Sequence, residues 1–332
     1  MAALLSLRDL RVAFDGVATL RGLSLDIAPG EALGMVGESG CGKSITWLAA
    51  LGLLPRKARV EGSARIGGTE LIGAPPALLD DIRGGRIGMI FQDPASALNP
   101  VLRIGRQLAE ALRLHQGLTG EAARAEAKRL LDIVGIPDAA RRLNAYPHEL
   151  SGGQNQRVMI AMALAGNPDL LIADEPTTAL DATIQVQILD LLGQLRRERN
   201  MALVLISHDL GLVAEHCDRV AVMYAGQIVE EAPSDDLFAR PLHPYAEGLL
   251  RALPRLTGPR QPLDPIPGTV PDMRALPPGC AFGPRCPRRI NACRSTQPRL
   301  REAGRGRRVN CLNDTASPAA SGTSGRMTGD AA

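Results

Sequence analysis

Aromatic side chains are scarce in this chain: four Phe, three Tyr and one Trp make up 2% of its 332 residues. A core for a chain of this length must therefore rest on Leu, Ile, Val, Ala and Met. Also missing is any apolar run near the ~20 residues that a membrane-spanning helix requires. The longest candidates, Ile45 to Leu54 and Met159 to Ala165, are short and flanked by polar motifs. The opening stretch, Met1 to Phe14, places Arg8, Asp9 and Arg11 where a secretory signal needs its apolar block. The expectation is a chain that stays in the cytoplasm and reaches a membrane only through partners. None of the six cysteines forms the short C-x2–4-C knuckle of structural zinc sites, and no internal repeat is visible.

What is present is the balance of a soluble globular protein, 45% hydrophobic and 22% charged. The net charge of +3 conceals an asymmetry. Residues 1–250 carry 24 Lys and Arg against 30 Asp and Glu, and residues 251–332 carry 14 Arg against 5 acids. With little aromatic interleaving, the basic end reads as a solvated arginine-rich surface and not as a nucleic-acid footprint.

Up to about residue 245 the chain alternates strand and helix patterns. Ala32 to Val36, Ile87 to Phe91, Leu170 to Ala173, Ala202 to Ile206 and Val220 to Met223 are apolar runs suited to buried parallel strands. Helical periodicity lies between them, notably over Gly120 to Val134 and Ala182 to Arg199. Alternation of this kind predicts an α/β domain with a mainly parallel sheet. The stretch from about Asp93 to Ala165 is helix-rich and reads as a subdomain set apart from that sheet. From about Leu253 Pro and Arg rise and periodicity fades, and Thr315 to Ala332 reads as a disordered tail.

Gly37-Glu38-Ser39-Gly40-Cys41-Gly42-Lys43-Ser44 fits G-x-x-x-x-G-K-S/T at every fixed position, between a predicted strand and a helical run. Glycines let backbone N–H groups turn inward, and the helix that follows aims its N-terminus at the same place, so anionic phosphates are favoured there. Lys43 is expected to reach the terminal phosphates of ATP and Ser44 to ligate Mg²⁺. A glycine turn before an ordinary helix is the plain alternative, and strand, loop, Lys-Ser and helix together speak against it. Asp174 and Glu175 close the apolar strand that begins at Leu170, and ligands bind beyond the carboxyl ends of such strands. Asp174 suits the Mg²⁺ shell and Glu175 suits polarising the attacking water.

Those two features describe many P-loop enzymes, small-molecule kinases among them. Leu150-Ser151-Gly152-Gly153-Gln154 resembles the signature sequence of ABC ATPases, and the resemblance covers essentially residues 1–245. It implies a P-loop NTPase (RecA-like) α/β fold with an inserted helical subdomain, over a domain of residues 1–241. It also implies roles for further residues. Gln92 matches the Q-loop and would join the Mg²⁺ site, Ala179-Leu180-Asp181 matches the D-loop, and His208 matches the switch histidine. Phe14 falls where the family stacks an aromatic on adenine, although a core Phe on the first strand is nearly as good a reading. By the same resemblance, Ser151, Gly152, Gly153 and Gln154 would face ATP held by a partner subunit. Asn155 stands where the family usually has Gln, and only a local change is expected. Cys41 occupies a variable loop position with no expected chemistry.

Leu242-His243-Pro244-Tyr245, Ile266 to Pro271 and Pro278 to Cys286 resemble the C-terminal extension of dipeptide and oligopeptide importer ATPases, over residues 242 to about 314. That resemblance implies ATP and Mg²⁺ as ligands and a second, homologous or identical ATPase subunit. It further implies two membrane permeases, an extracytoplasmic binding protein, and a peripheral place on the cytoplasmic face of the inner membrane. Related members carry nickel, opines, glutathione or sugars. Soluble ABC ATPases of DNA repair carry a long coiled-coil insertion and those of translation two cassettes, neither of which is seen here. Cys280, Cys286, Cys293 and Cys311 fall in this extension with loose spacing. Disulfides are rare in a cytosolic protein, so a 4Fe–4S cluster is the expected occupant, with zinc as the alternative.

Overall fold

The computed structural model describes residues 2–93, 97–177, 181–253 and 264–314; the expected tail, Thr315 to Ala332, and Ala179-Leu180 of the D-loop lie outside them. Two sheets form the framework. β1 (Leu5–Phe14) folds back on β2 (Val17–Ile27) through Asp15 and Gly16, both at positive φ (49° and 81°). An Asp-Gly pair with both residues left-handed is the turn whose twist matches an antiparallel hairpin. β4 (Ala58–Ile66) and β5 (Thr69–Glu70) complete this antiparallel sheet in the order β2-β1-β4-β5.

The second sheet runs β11-β12-β10-β9-β3-β8-β7-β6. Its parallel part is β3 (Ala32–Val36), β6 (Ile87–Ile90), β7 (Leu170–Asp174), β8 (Ala202–Ile206) and β9 (Arg219–Tyr224). Every residue of β3, β7 and β8 is buried, which explains why these strands read as unbroken apolar runs and not as alternation. β10 (Gln227–Pro233) pairs antiparallel with β9.

Between β6 and β7 the chain forms the helices Ile104–Gln116, Gly120–Ile133, Ala139–Arg142 and Gly152–Ala163. Leu108, Leu112, Leu130, Leu131 and Val158 close their own apolar centre and join the core on one side of the sheet. On its other side the helix Lys43–Ala50 packs Trp47, with no exposed surface, against Leu33, Met35 and the antiparallel sheet. No helix among the described residues is long and apolar enough to cross a membrane.

The extension departs from the sequence reading. Residues 301–302 and 308–309 form β11 and β12, and β12 pairs with β10, so the C-terminal part completes the edge of the main sheet. Nor is its basic character only a solvated surface: Arg285 and Arg307 are buried in ion pairs. Two-residue strands carry too little pattern to register as periodicity, and a buried arginine looks like any other in a sequence until its acid partner is located.

Candidate functional site

The phosphate loop runs from the end of β3 to the helix Lys43–Ala50. Gly37 (φ 150°) could carry no side chain, because a Cβ there would lie 2.2 Å from the Met223 carbonyl oxygen; at Gly42 (φ 104°) it would meet Leu20 at 2.6 Å. The loop is thus wedged between β9 and β2, and it folds over Lys43. The Lys43 ammonium is buried and donates to the carbonyls of Gly37 (2.7 Å) and Glu38 (3.3 Å). It is held inside the loop, where phosphate oxygens would replace those carbonyls. Ser39 and Gly40 form the loop's outer rim, whereas Cys41 is buried and its thiol is pushed up by that burial.

The carboxyl ends of β6, β7 and β8 deliver the remaining groups to one place. Asp174, 7% exposed, is pushed above the usual carboxylate range by burial, with Ser44 hydrogen-bonding it and Glu175 adding a like charge. A buried carboxylate paired with a serine hydroxyl, next to a second carboxylate, is an all-oxygen donor set, and it fits Mg²⁺, a hard cation that takes oxygen ligands. Glu175 adopts φ 46°, an uncommon conformation for a residue with a Cβ. That backbone turns its side chain toward Gln92, whose Nε2 donates to Glu175 Oε2 at 3.0 Å, and His208, whose Nδ1 lies 3.5 Å from the same oxygen. The structure therefore brings Gln92, Glu175 and His208 together, and Asp174 with Ser44. Phe14 ends β1, half-buried against the core beside the Asp15-Gly16 turn.

Ser151 and its neighbours stand apart from this cluster, at the start of the helix Gly152–Ala163. Ser151 Oγ accepts from Gln154 N (3.3 Å) and Gln154 Oε1 accepts from Ser151 N (3.1 Å), a reciprocal cap. Ser151 and Gly152 are exposed, and a Cβ on Gly152 would meet nothing. The Asn155 side-chain amide donates to Pro147 O at 2.9 Å and closes the preceding turn. Asp181 caps the helix Ala182–Arg199 by accepting from Ile184 N at 3.0 Å.

The four extension cysteines are electrostatic neighbours, Cys280 with Cys286 and Cys293, and Cys311 with Cys280 and Cys286. The cluster or zinc expected of them is not supported. All four are free thiols, and among the described residues no group of three or more His, Cys, Asp or Glu is arranged to hold a metal ion. Burial pushes the thiols of Cys280, Cys286 and Cys311 up, Cys311 to about 11. The segment is held by backbone bonds such as Cys280 N to Cys293 O (2.9 Å) and by a cluster of Tyr224, His243, Tyr245 and Phe282 with ring centroids 4.7–5.8 Å apart.

His243 belongs to that cluster and caps the helix Pro244–Arg251, its Nδ1 accepting from Tyr245 N at 3.0 Å. Burial, with Arg288 adding to it, pushes the imidazole down to about 3. An unfolded chain takes up that proton near 6.5, so stability is fully present above that value and declines as pH falls toward 3. From pH 7 to pH 5 this one group costs about 2 kcal/mol. His243→Asn keeps an acceptor for the cap and removes the titration, so its urea midpoint should fall less over that interval. Equal falls in variant and parent would refute the assignment.

A parallel α/β sheet with a phosphate loop after β3, an acid pair at the end of β7 and an intervening helical subdomain defines a P-loop ATPase of the ABC type. The family model described as ABC transporter matches residues 20–178, and that described as Oligopeptide/dipeptide transporter, C-terminal region, matches residues 229–293. The chain is 49% identical over 314 residues to the oligopeptide transport ATP-binding protein OppD of Escherichia coli, covering 93% of each. It is 50% identical over 299 residues to the Salmonella typhimurium OppD, covering 89% of each. Among solved structures, the ATP-binding cassette MJ0796 in a dimeric post-hydrolysis state with ADP and Pi is similar at TM-score 0.62 and 30% identity, over 69% of this chain and 98% of that one. The chain belongs to the peptide-importer family of ABC transporter ATP-binding proteins, and it binds and hydrolyses ATP.

Sequence reading missed the Asp15-Gly16 hairpin, which the dipeptide itself signals, and the residues of the extension that reach the phosphate loop, for which no local signal exists.

Proposed function

We propose that this chain powers an importer of di- or oligopeptides from the cytoplasmic face of the membrane, paired with a second ATPase subunit and two permeases, with cargo delivered by an extracytoplasmic binding protein. In this reading residues 1–241 form the ATPase domain, with the helical subdomain at about 93–165, and residues 242–314 form the extension. The observation that carries it is the joint presence of the ATP-site cluster and an extension of the peptide-transporter type on one chain. The curated relatives' names speak of oligopeptide transport.

ATP would lie on the phosphate loop, with its phosphates on the backbone N–H groups of residues 37–44 and on Lys43, and its adenine near Phe14. Ser44, Asp174 and Gln92 would hold Mg²⁺, which when bound offsets the phosphate charge. Glu175 would take a proton from the attacking water, with Gln92 and His208 fixing its carboxylate. The exposed helix start at Ser151 would meet the partner's γ-phosphate, since its free N–H groups favour an anion and Gly152 leaves room for it. Phe91 (41% exposed) and Val101 (75% exposed) flank the Gln92 segment and suit contact with an apolar permease surface.

Reconstitution with two permeases and the binding protein tests the reading: peptide-loaded binding protein should stimulate ATP hydrolysis, and unresponsiveness to any peptide would overturn it. In the same system Ser151→Arg should slow hydrolysis by at least about tenfold while the isolated variant subunit keeps its ATP affinity. Lost affinity in that subunit would place Ser151 in its own nucleotide site.

A further inference from the structure

We propose that Arg285 and Tyr245 of the extension are positioning residues for the ATP site, with Arg285 neutralising Glu38 so that the phosphate loop can accept a polyanion. Glu38 is the second residue of that loop and carries a negative charge where several more must be received. Its carboxylate is met by a two-pronged contact: Arg285 Nη1 donates to Oε2 at 2.8 Å and Nη2 to Oε1 at 3.0 Å, across 247 residues of sequence. Such a fork fixes the direction of a carboxylate as well as compensating its charge.

The guanidinium has little freedom to leave. Its side chain is 5% exposed, its Nε donates to Pro267 O at 2.9 Å, and it lies over the rings of Tyr224 and Phe282 at 5.9 and 6.0 Å. Tyr245 holds the other end of the same residue, its hydroxyl accepting from Glu38 N at 2.9 Å. Glu38 is therefore gripped at its amide and its carboxylate by groups outside the ATPase core, and its own carbonyl accepts from Lys43. Release of the fork would free a negative charge beside the incoming phosphates, and in a partly buried setting that repulsion is strong enough to govern binding.

The test is titration of the full-length subunit with a fluorescent ATP analogue, together with ATPase kinetics. Arg285→Gln should weaken binding about tenfold and raise KM while kcat at saturation stays close to the parent's. Arg285→Lys should restore part of the affinity, since it returns the charge without the fork. Adding Glu38→Gln to Arg285→Gln should restore most of it, because the uncompensated charge is gone. Glu38→Gln alone, whose outcome does not depend on how the Arg285 variants fold, should bind at least as tightly as the parent. Unchanged affinity in a folded Arg285→Gln protein, a double variant as weak as the single, or weaker binding by Glu38→Gln would each overturn the proposal.

Discussion

Glu175→Gln lowers ATP hydrolysis by ~10²–10⁴-fold, the span expected for loss of a general base, while nucleotide still binds. The side chain keeps its size and its place, so Gln92 and His208 retain a neighbour at the same point, but a neutral amide cannot take a proton. Glu175 belongs to the chemistry and not to the phosphate grip, because Lys43 and the loop backbone stand on a different strand end, β3 against β7. The expected product is an ATP-stabilised dimer that cannot reset. Phosphate release at saturating ATP in the reconstituted transporter measures the first effect, and size-exclusion chromatography with and without ATP the second. Turnover within a few-fold of the parent would remove Glu175 from this role and leave His208 as the next candidate.

Arg307→Leu costs about 3–5 kcal/mol of stability, the range for removing one partner of a buried charge pair. Glu230 has no exposed surface, and Arg307, 4% exposed, donates to it at 2.8 Å. The other donors to that carboxylate are the backbone N–H groups of Leu242 (2.9 Å) and His243 (2.7 Å). These contacts tie β10, the start of the extension and the approach to β12 at a single carboxylate. Burial already pushes Glu230 above the usual range, so its charged form is disfavoured in the fold. Without Arg307 it shifts further up, and the variant regains stability as pH falls through that raised value. Urea unfolding at two pH values reads this, and Glu230→Gln in the same chain should recover part of the loss. A variant as stable as the parent at neutral pH would mean that the pair contributes nothing net.

The parts legible in the sequence share a physical trait: local pattern determines them. All five parallel strands were read as continuous apolar runs because they are buried on both faces, and the phosphate loop was read because a tight anion-binding turn tolerates few residue types. Glu175 is legible as half of the acid pair that closes an apolar strand, whereas Gln92 and His208, each a lone polar residue after a strand, are placed only by resemblance; only the structure puts them 3.0 and 3.5 Å from the Glu175 carboxylate. The extension was least legible. Its order comes from Arg285 with Glu38 and Arg307 with Glu230, pairs separated by 247 and 77 residues, and from three of the chain's eight aromatic residues meeting at Tyr224, Tyr245 and Phe282. The cysteine spacing suggested a metal because four soft ligands in a segment without visible core need some staple. The contacts seen there are aromatic and ionic.

The chain's single tryptophan has an optical meaning. Trp47 lies one helical turn beyond Lys43, fully buried, with its indole N–H unpartnered. Light absorbed at the red edge of the protein band is taken up by that one ring alone, and a dry indole emits toward the blue. The intrinsic colour of this protein therefore monitors the short helix that carries Lys43 and Ser44, and a shift to longer wavelength signals water entering behind the phosphate loop.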